Sequence, residues 1–566
     1  MTAATDAPAR SGWHSPGHAD RYRARVFAAR AGLTADHADP RGAQERVLAD
    51  LLEFNAETAF GREHGFGGLR TVDDFRRAVP VGDYASHAAL IERTAAGERG
   101  LLTADAPELY FTSSGSTGAH KKIPVTPRFM RTTFMPFYFA AWAPLAEHFP
   151  EVLERPDAVL NLKHDPPAAP PVTGDGRPHV GASQVDLGAR FGEPLAAEPG
   201  TGAPWAVLPV ATDPADHLER AYLRLRLAVQ SDVRCVIGIN PAMVAAVPYQ
   251  LNLWWPRIVR EVRDGTLGGV PYGAPDPRRA AELERLAAYF GTVRPAHVWP
   301  RMRVLFCWSS GVASLYLPAL REEFGAGVTV LPAPVAASEG PVAVALDRHA
   351  SAGSLVASAS LYEFVPAERD LGPGAETLLA HEVEAGRDYH VLFSHVGGLY
   401  RYAGGDVVRV VDRAGGLPRL EYAGRAGRLD AAGERLRDAE VVRAVRAALE
   451  SGGLGLRNVS CRAEPGPGGV PRHVFAVAPT TPWSTTETER FGEALDRSLA
   501  AASAPYAHAR SAGRLAAPAV RLLDADAFAR AWSDTVASGV RPAQAKDRLF
   551  ETDGTRWTRL TGAPAV

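Results

Sequence analysis

Four lysines carry the first sign of chemistry. The chain of 566 residues holds 62 lysines plus arginines, yet lysine stands only at Lys121, Lys122, Lys163 and Lys546. A solvated surface accepts either cation, so lysines that survive where arginine fills nearly every other basic position mark places that need a compact point charge. Two of them end the run Tyr110-Phe-Thr-Ser-Ser-Gly-Ser-Thr-Gly-Ala-His-Lys-Lys-Ile-Pro124, where an apolar strand end passes into hydroxyls and glycines. Glycines let backbone N–H groups turn inward as an anion-binding nest, hydroxyls add donors, and a following ammonium neutralises negative charge. A nucleotide's phosphates suit such a loop. It is not a Walker A loop, because Gly115 and Gly118 stand too close and no serine or threonine follows the lysines. Taken alone, the segment also reads as a polar surface loop.

Other chemistry is excluded more simply. Cys235, Cys307 and Cys461 are too far apart for a CxxC pair and lie in apolar, strand-like runs, so they read as buried structural thiols. The seventeen histidines are scattered and form no HExxH, which leaves zinc without support. Three further segments hold candidate groups: Ala337-Ser338-Glu339-Gly340, Gly398-Leu-Tyr-Arg-Tyr-Ala-Gly-Gly-Asp406, and Gly424-Arg425 through Asp430 to Leu436. By residue type alone, each is equally a turn or a surface ion pair.

Ser114-Gly-Ser-Thr-Gly-Ala-His-Lys121, followed by Ile123-Pro124-Val125-Thr126, resembles the phosphate-binding motif of the adenylate-forming superfamily, in the form used by the Gretchen Hagen-three family of acyl-acid amido synthetases. FNAETAFGREHGF, DDFRRAVPVGDY and ALIERTAAGERGLLT resemble that family's N-terminal region, and the likeness runs along nearly the whole chain. The resemblance implies that Ser113, Ser114, Gly115, Ser116, Thr117, Gly118 and Lys122 hold phosphates and that Lys121 is catalytic. It implies that Glu339 holds the Mg2+ bridging the phosphates of ATP, with Ser338 approaching the AMP; a hard cation needs such an oxygen ligand. Tyr362-Glu363-Phe364-Val365-Pro366 is similar to the family's EF-P strand. Asp406 would accept both ribose hydroxyls, Arg425 would contact ribose or phosphate, and Asp430 would sit at an interdomain pivot. Gln544-Ala-Lys546-Asp-Arg548 resembles the terminal motif, whose lysine would stabilise charge on the α-phosphate and leaving pyrophosphate. Val335 stands where the family usually has a tyrosine, Arg435 where lysine is usual and Ser503 where asparagine is usual.

These groups need a scaffold to position them. Val47, Leu48, Leu51 and Leu52 recur at helical spacing within residues 42–55, and Thr71 with Asp74 opens a helix as a capping box. From residue 158 onward, short β-rich runs at 158–162, 233–239, 303–308 and 327–332 alternate with helical segments such as 241–264, an α/β pattern. Strands separated by glycine turns follow over 354–425. Beyond a polar, glycine-punctuated stretch comes a fresh α+β set. The expected fold is α/β, with a large adenylate-forming N-terminal domain of α/β layers plus a β-rich subdomain, and a smaller mobile α+β C-terminal domain. The expected boundaries are a disordered 1–20, an N-terminal domain at 21–428, a hinge at 429–437 and a C-terminal domain at 438–566. The aromatic-rich segment Phe129–Phe149 reads chiefly as core, with an acyl-pocket wall as the alternative.

A net charge of -2 gives no basic excess to attract nucleic acid. The first twenty residues lack the apolar core of a signal peptide, and no stretch reaches the roughly 18 apolar residues of a spanning helix, so no membrane partner is expected and the expected compartment is the cytoplasm. The expected function is activation of a small-molecule carboxylic acid as an acyl-adenylate, using ATP and Mg2+, and transfer of the acyl group to an amine or amino acid. Transfer to coenzyme A or another thiol, and a catalytically weakened nucleotide-binding homologue, are the alternatives.

Overall fold

The computed structural model describes residues 17–114, 120–162, 170–193, 195 and 198–562. Four strands, Val159–Asn161, Cys235–Ile237, Val304–Cys307 and Thr329–Pro332, pair in parallel in that order. The first three are buried along their whole length, as a sheet covered on both faces requires. Alternate side chains serve two cores. Leu160, Val236, Leu305 and Cys307 meet helices His217–Ala228, Pro241–Asp264 and Ala313–Phe324. Val159, Cys235, Ile237, Val304 and Phe306 face the other way, into the aromatic segment. There Phe137, Phe139, Trp142 and Phe149 are buried, and Trp142 stacks on Phe306 at 4.6 Å between ring centroids. All three cysteines are buried.

The stretch expected to lack structure through residue 20 is helical from His18. Gly17 takes a left-handed conformation at φ 70, and helix His18–Ala35 follows. Tyr22, Val26, Ala29 and Leu33 recur every three to four residues and bury against the same aromatic core, so packing extends order further toward the N-terminus than the polar composition implied.

A seven-stranded sheet, all of its neighbours antiparallel, carries the glycine-punctuated region in the order Val335–Ala337, Gly340–Val344, Gly353–Leu355, Leu417–Arg425, Leu399–Ala414, Asp388–His395, Leu361–Pro366. A buried ion pair locks its far edge. Arg401, at φ 42, places its guanidinium 2.9 and 3.1 Å from the Glu363 carboxylate and donates to the Val79 carbonyl at 2.8 Å. The helix Val72–Ala78, opened by the Thr71/Asp74 capping box, is thereby fastened to the sheet.

The C-terminal unit pairs Leu456–Pro465 with Pro471–Pro479 in antiparallel fashion and adds Ala519–Leu522 in parallel. Ser503 caps helix Ala504–Ser511 by accepting the Tyr506 N–H, work that the usual asparagine does equally well. Asp496 holds Arg510 at 2.7 and 2.9 Å and accepts the Tyr506 hydroxyl at 2.7 Å, so these residues brace the domain. Among the described residues no helix is long and apolar enough to cross a membrane.

Removing one partner of a buried ion pair strands the other charge. We therefore expect Glu363→Ala to lower unfolding stability by about 3–5 kcal/mol, and the paired change Glu363→Leu with Arg401→Met to recover most of it. Urea midpoints of the three proteins test this.

Candidate active site

The lysine loop is a hairpin, Leu109–Ser114 against His120–Val125, with Ser113 opposite Lys121 and Ser114 opposite His120. Gly115, Ser116, Thr117 and Gly118 lie outside the described residues. Successive strand residues face opposite ways, and this separates the two lysines. Lys121 Nζ lies 3.6 Å from Glu339 Oε1, 3.4 Å from the Tyr402 hydroxyl and 5.3 Å from the centre of the Tyr84 ring. Lys122, expected on the phosphates, points away and pairs with Glu92 at 2.5 Å.

Glu339 sits nearly buried in the tight turn between Val335–Ala337 and Gly340–Val344. The Tyr402 hydroxyl donates to its carboxylate at 3.1 Å. His395 contacts its backbone carbonyl at 2.9 Å through Nε2, and Nδ1 of the same ring accepts the Gly397 N–H at 3.1 Å. Burial lowers the His395 pKa to about 4. The ring is therefore neutral at pH 7, with its proton on Nε2, and it fixes the turn without adding charge. Ser338, expected near the AMP, donates its hydroxyl to the Thr112 carbonyl at 3.2 Å, which ties this turn to the lysine hairpin.

Asp406 pairs in register with Arg425, their nearest charged atoms 3.6 Å apart. Burial raises the Asp406 pKa, while the charges of Arg425, Lys546 and Lys121 oppose the rise. Two lysines 425 positions apart in sequence thus act on one carboxylate.

Lys546 gets there because its segment is strapped at several points. Asn240 caps helix Pro241–Asp264 by accepting the Ala242 N–H and gives its amide to the Ala545 carbonyl at 2.9 Å. Tyr316 donates to Asp547 at 2.6 Å, and residues 549–551 bond to Cys461 on the C-terminal sheet. The Lys546 ammonium hangs 4.9 Å over the centre of the Trp308 ring. Its residue surface stays open to water within the cleft, yet the surrounding protein lowers its pKa, with Asp406 and Glu339 offsetting part of the effect.

The residues expected as a hinge form a small hairpin, Arg428–Leu429 with Leu436–Arg437. Asp430 accepts the Gly433 N–H at 2.7 Å, while Glu434 accepts the N–H groups of Ala431 and Ala432. Glu434 also meets His473 of the C-terminal sheet at 2.8 Å, both fully buried. Burial alone would raise the Glu434 pKa, but His473 and the backbone N–H groups of Glu434 itself and Ala432 bring it to about 2. On the opposite side Arg435, at φ 43, reaches Asp370, and Arg437 reaches Glu368.

Sequence reasoning gave no role to Tyr402, Tyr84, Asn240 or Trp308. Trp308 was the most readable of them, because it follows strand Val304–Cys307 at the carboxyl end of a parallel sheet, where ligand crevices open. Val335 packs partly buried against the neighbouring core and offers no ring to the cleft, whereas Trp308, donating to the Pro334 carbonyl, does.

The chain matches the GH3 family N-terminal domain over residues 30–329, the GH3 family central domain over 353–425 and the GH3 family C-terminal domain over 439–552. The chain belongs to the GH3 family. The hairpin Arg428–Leu429 with Leu436–Arg437 falls between the central and C-terminal GH3 matches. Among relatives, the chain is 28% identical over 258 residues to the Probable indole-3-acetic acid-amido synthetase GH3.6 of Oryza sativa subsp. japonica, covering 41% of this chain and 52% of that one. It is 25% identical over 417 residues to the Jasmonoyl--L-amino acid synthetase JAR6 of Nicotiana attenuata, covering 68% and 69%. The chain thus spans about half the length of the first relative and about two thirds of the second. The solved structure of the AtGH3.15 acyl acid amido synthetase in complex with 2,4-DB superposes with a TM-score of 0.78 at 18% identity, covering 95% of this chain and 96% of that one. The two share a fold.

Asp438, which accepts the Arg425 N–H at 3.1 Å, offers a pH test of the junction. Burial raises its pKa to about 6, against the Arg425 contact. A raised carboxyl favours folding while protonated, so its contribution is complete below about 4 and is lost as pH rises through 6. Between pH 4 and 7 the wild type should lose about 1–3 kcal/mol more stability than Asp438→Asn. Equal pH slopes in the two urea midpoints would exclude this carboxyl as the cause.

Proposed function

We propose that this chain is an ATP-dependent, AMP-forming acyl-acid amido synthetase. The observation that carries the reading is the convergence of Lys121, Lys546, Glu339 and Asp406 on one cleft, with the lysines supplied from opposite ends of the fold.

A carboxylate is a poor acyl donor because its leaving group would be oxide. Its attack on the α-phosphorus of ATP expels pyrophosphate and leaves an acyl-AMP anhydride, whose own leaving group, AMP, is a much weaker base. An amine then attacks the acyl carbon, AMP departs and an amide forms. Negative charge builds on the α-phosphate and pyrophosphate in the first step, and Lys121 and Lys546 are preorganised to meet it. Asp406 would hold the ribose hydroxyls as an acceptor, with Arg425 beside it and Trp308 offering the base an aromatic face. Backbone N–H groups of residues 113–118 would cradle the phosphates.

The Glu339 carboxylate is a hard oxygen donor, and no group of three or more metal-ligating side chains occurs among the described residues. That fits Mg2+, which is usually held by one or two carboxylates together with substrate phosphates and water. When bound, the ion would neutralise phosphate charge. Glu339 would orient it, and Tyr402 and His395 hold Glu339 in place.

We assign residues 21–428 to the adenylate-forming unit and 438–566 to the mobile one, with 429–437 as the pivot through which Lys546 withdraws and the amine enters. Glu434 and His473 bind the hairpin to the smaller unit, while Arg435 and Arg437 bind it to the larger one through exposed ion pairs, which are cheap to break. The relatives' names favour an aryl or alkyl acid and an amino acid as substrates.

The test mixes the protein with ATP, Mg2+, pooled carboxylic acids and amino acids, and follows AMP, pyrophosphate and amides by mass spectrometry. An amide formed without added thiol is expected; a thioester appearing only with thiol, or no AMP at all, would overturn the reading. In the same assay Lys121→Ala and Lys546→Ala should each slow acid-dependent pyrophosphate release by about 10²–10³-fold. Lys546→Ala should retain aminolysis of a supplied acyl-adenylate. Lys122→Ala, which loses only an exposed ion pair, should cost less than about tenfold.

A further inference from the structure

A second charged recess lies away from the cleft. It is a groove of about 800 Å³ between helix Ala313–Phe324, the edge strand Thr329–Pro332, the seven-stranded sheet and helix Asp438–Gly452 of the C-terminal unit. Lys121, Glu339, Asp406 and Lys546 do not line it. Arg321, Arg348, Arg409, Arg443 and Arg446 do, against a single lining carboxylate, Glu421.

Most arginines of this chain have carboxylate partners, and this cluster departs from that habit. Arg409 and Arg443 share Asp388, at 2.8 and 3.4 Å. Arg446 donates to the Ser314 hydroxyl at 2.6 Å and has no carboxylate within ion-pair distance among the described residues. Arg321 has no ion pair there either, and Arg348 only lies 5.9 Å from the centre of the Phe149 ring. Like charges gathered around a concavity repel one another, and the field they focus there attracts an anion. Planar guanidinium groups match phosphate oxygens with paired hydrogen bonds. The volume lies within the range of small-molecule sites, and Leu317, Val330 and Val442 give it an apolar wall.

We propose that this groove binds a small molecule carrying two or more phosphate groups. Arg321, Arg348 and Arg409 come from the larger unit, whereas Arg443 and Arg446 come from the C-terminal helix. A polyanion seated between them bridges the two units and favours the arrangement that holds Lys546 in the cleft. The site does not depend on what the cleft catalyses.

The experiment is calorimetric titration of the full chain, saturated beforehand with AMP, which occupies the cleft while carrying a single phosphate. Inorganic tripolyphosphate is the probe in one arm and GDP in the other. At least one probe should bind saturably, and Arg321→Ser and Arg446→Ser should each weaken it about tenfold, as expected for loss of a charge-assisted hydrogen bond. Tighter binding of tripolyphosphate indicates a free polyphosphate, and tighter binding of GDP a nucleotide. Both side chains are exposed, so the variants should fold, and Arg348→Ser supplies an independent third. No saturable binding of either probe, or unchanged affinity in the Arg321→Ser/Arg446→Ser protein, would overturn the proposal.

Discussion

The structure depends on balancing two carboxylates that the fold drives into one cleft. Glu339 is nearly buried, and burial raises the Asp406 pKa. Carboxylates so placed either take up a proton or attract cations. Here the cations come from three directions: Lys121 from the hairpin, Arg425 from the neighbouring strand, and Lys546 from near the end of the chain. Lys546 is supplied by the C-terminal unit, so the cleft's charge balance draws on both units. A triphosphate entering this cleft would add negative charge and strengthen the demand for both ammonium groups.

Docking rests on unequal fastenings. On the side of the smaller unit, Glu434 and His473 meet in full burial, and Glu434 also satisfies two N–H groups of the hairpin's turn. Facing the larger unit, Arg435 and Arg437 hold exposed Asp370 and Glu368. Water screens the second kind strongly and the first hardly at all. The hairpin is thus fastened more firmly to the smaller unit than to the larger one. Asn240 and Tyr316 depart from this surface lightness: one buried amide both caps a long helix and holds the carbonyl before Lys546, and the buried Tyr316 donates to Asp547.

Much of the scaffold was legible because its residues obey local rules. The runs that became the parallel sheet are continuous and apolar, as two-faced burial demands, and Thr71 with Asp74 formed the expected capping box. Helix Pro241–Asp264 spans the expected residues despite its internal Pro248 and Pro256. Misreadings arose where tertiary contact overrode composition. Helix His18–Ala35 has almost no contrast between its faces in sequence, yet Tyr22 and Val26 are completely buried. Arg401 and Glu363, given no role by sequence reasoning, form a structural clamp through burial and bonding. Strand alternation puts Lys121 and Lys122 on opposite faces whatever the register, but which of them meets the cleft depends on register, and register follows from pairing rather than from composition. Tyr402 and Asn240 gave no signal, because their roles exist only between segments far apart in the chain.

The scarcity of lysine acquires a physical reason at Lys121. Its ammonium is met by a carboxylate oxygen, a phenol oxygen and an aromatic face, partners that a compact cation with three rotatable donors can serve together. A planar guanidinium presents its donors in a fixed fork and occupies more space. At Lys546 the ammonium lies over an indole ring and within the field of Asp406 and Glu339, again without the coplanar pair of oxygens that would favour arginine. In the basic groove the need is reversed: there is room, Arg321, Arg348 and Arg446 have no carboxylate partner among the described residues, and all five cations are arginines. The choice between the two side chains therefore follows the geometry of the anion each must meet, a single small charge held among protein groups in the cleft and a broad face of oxygens in the groove.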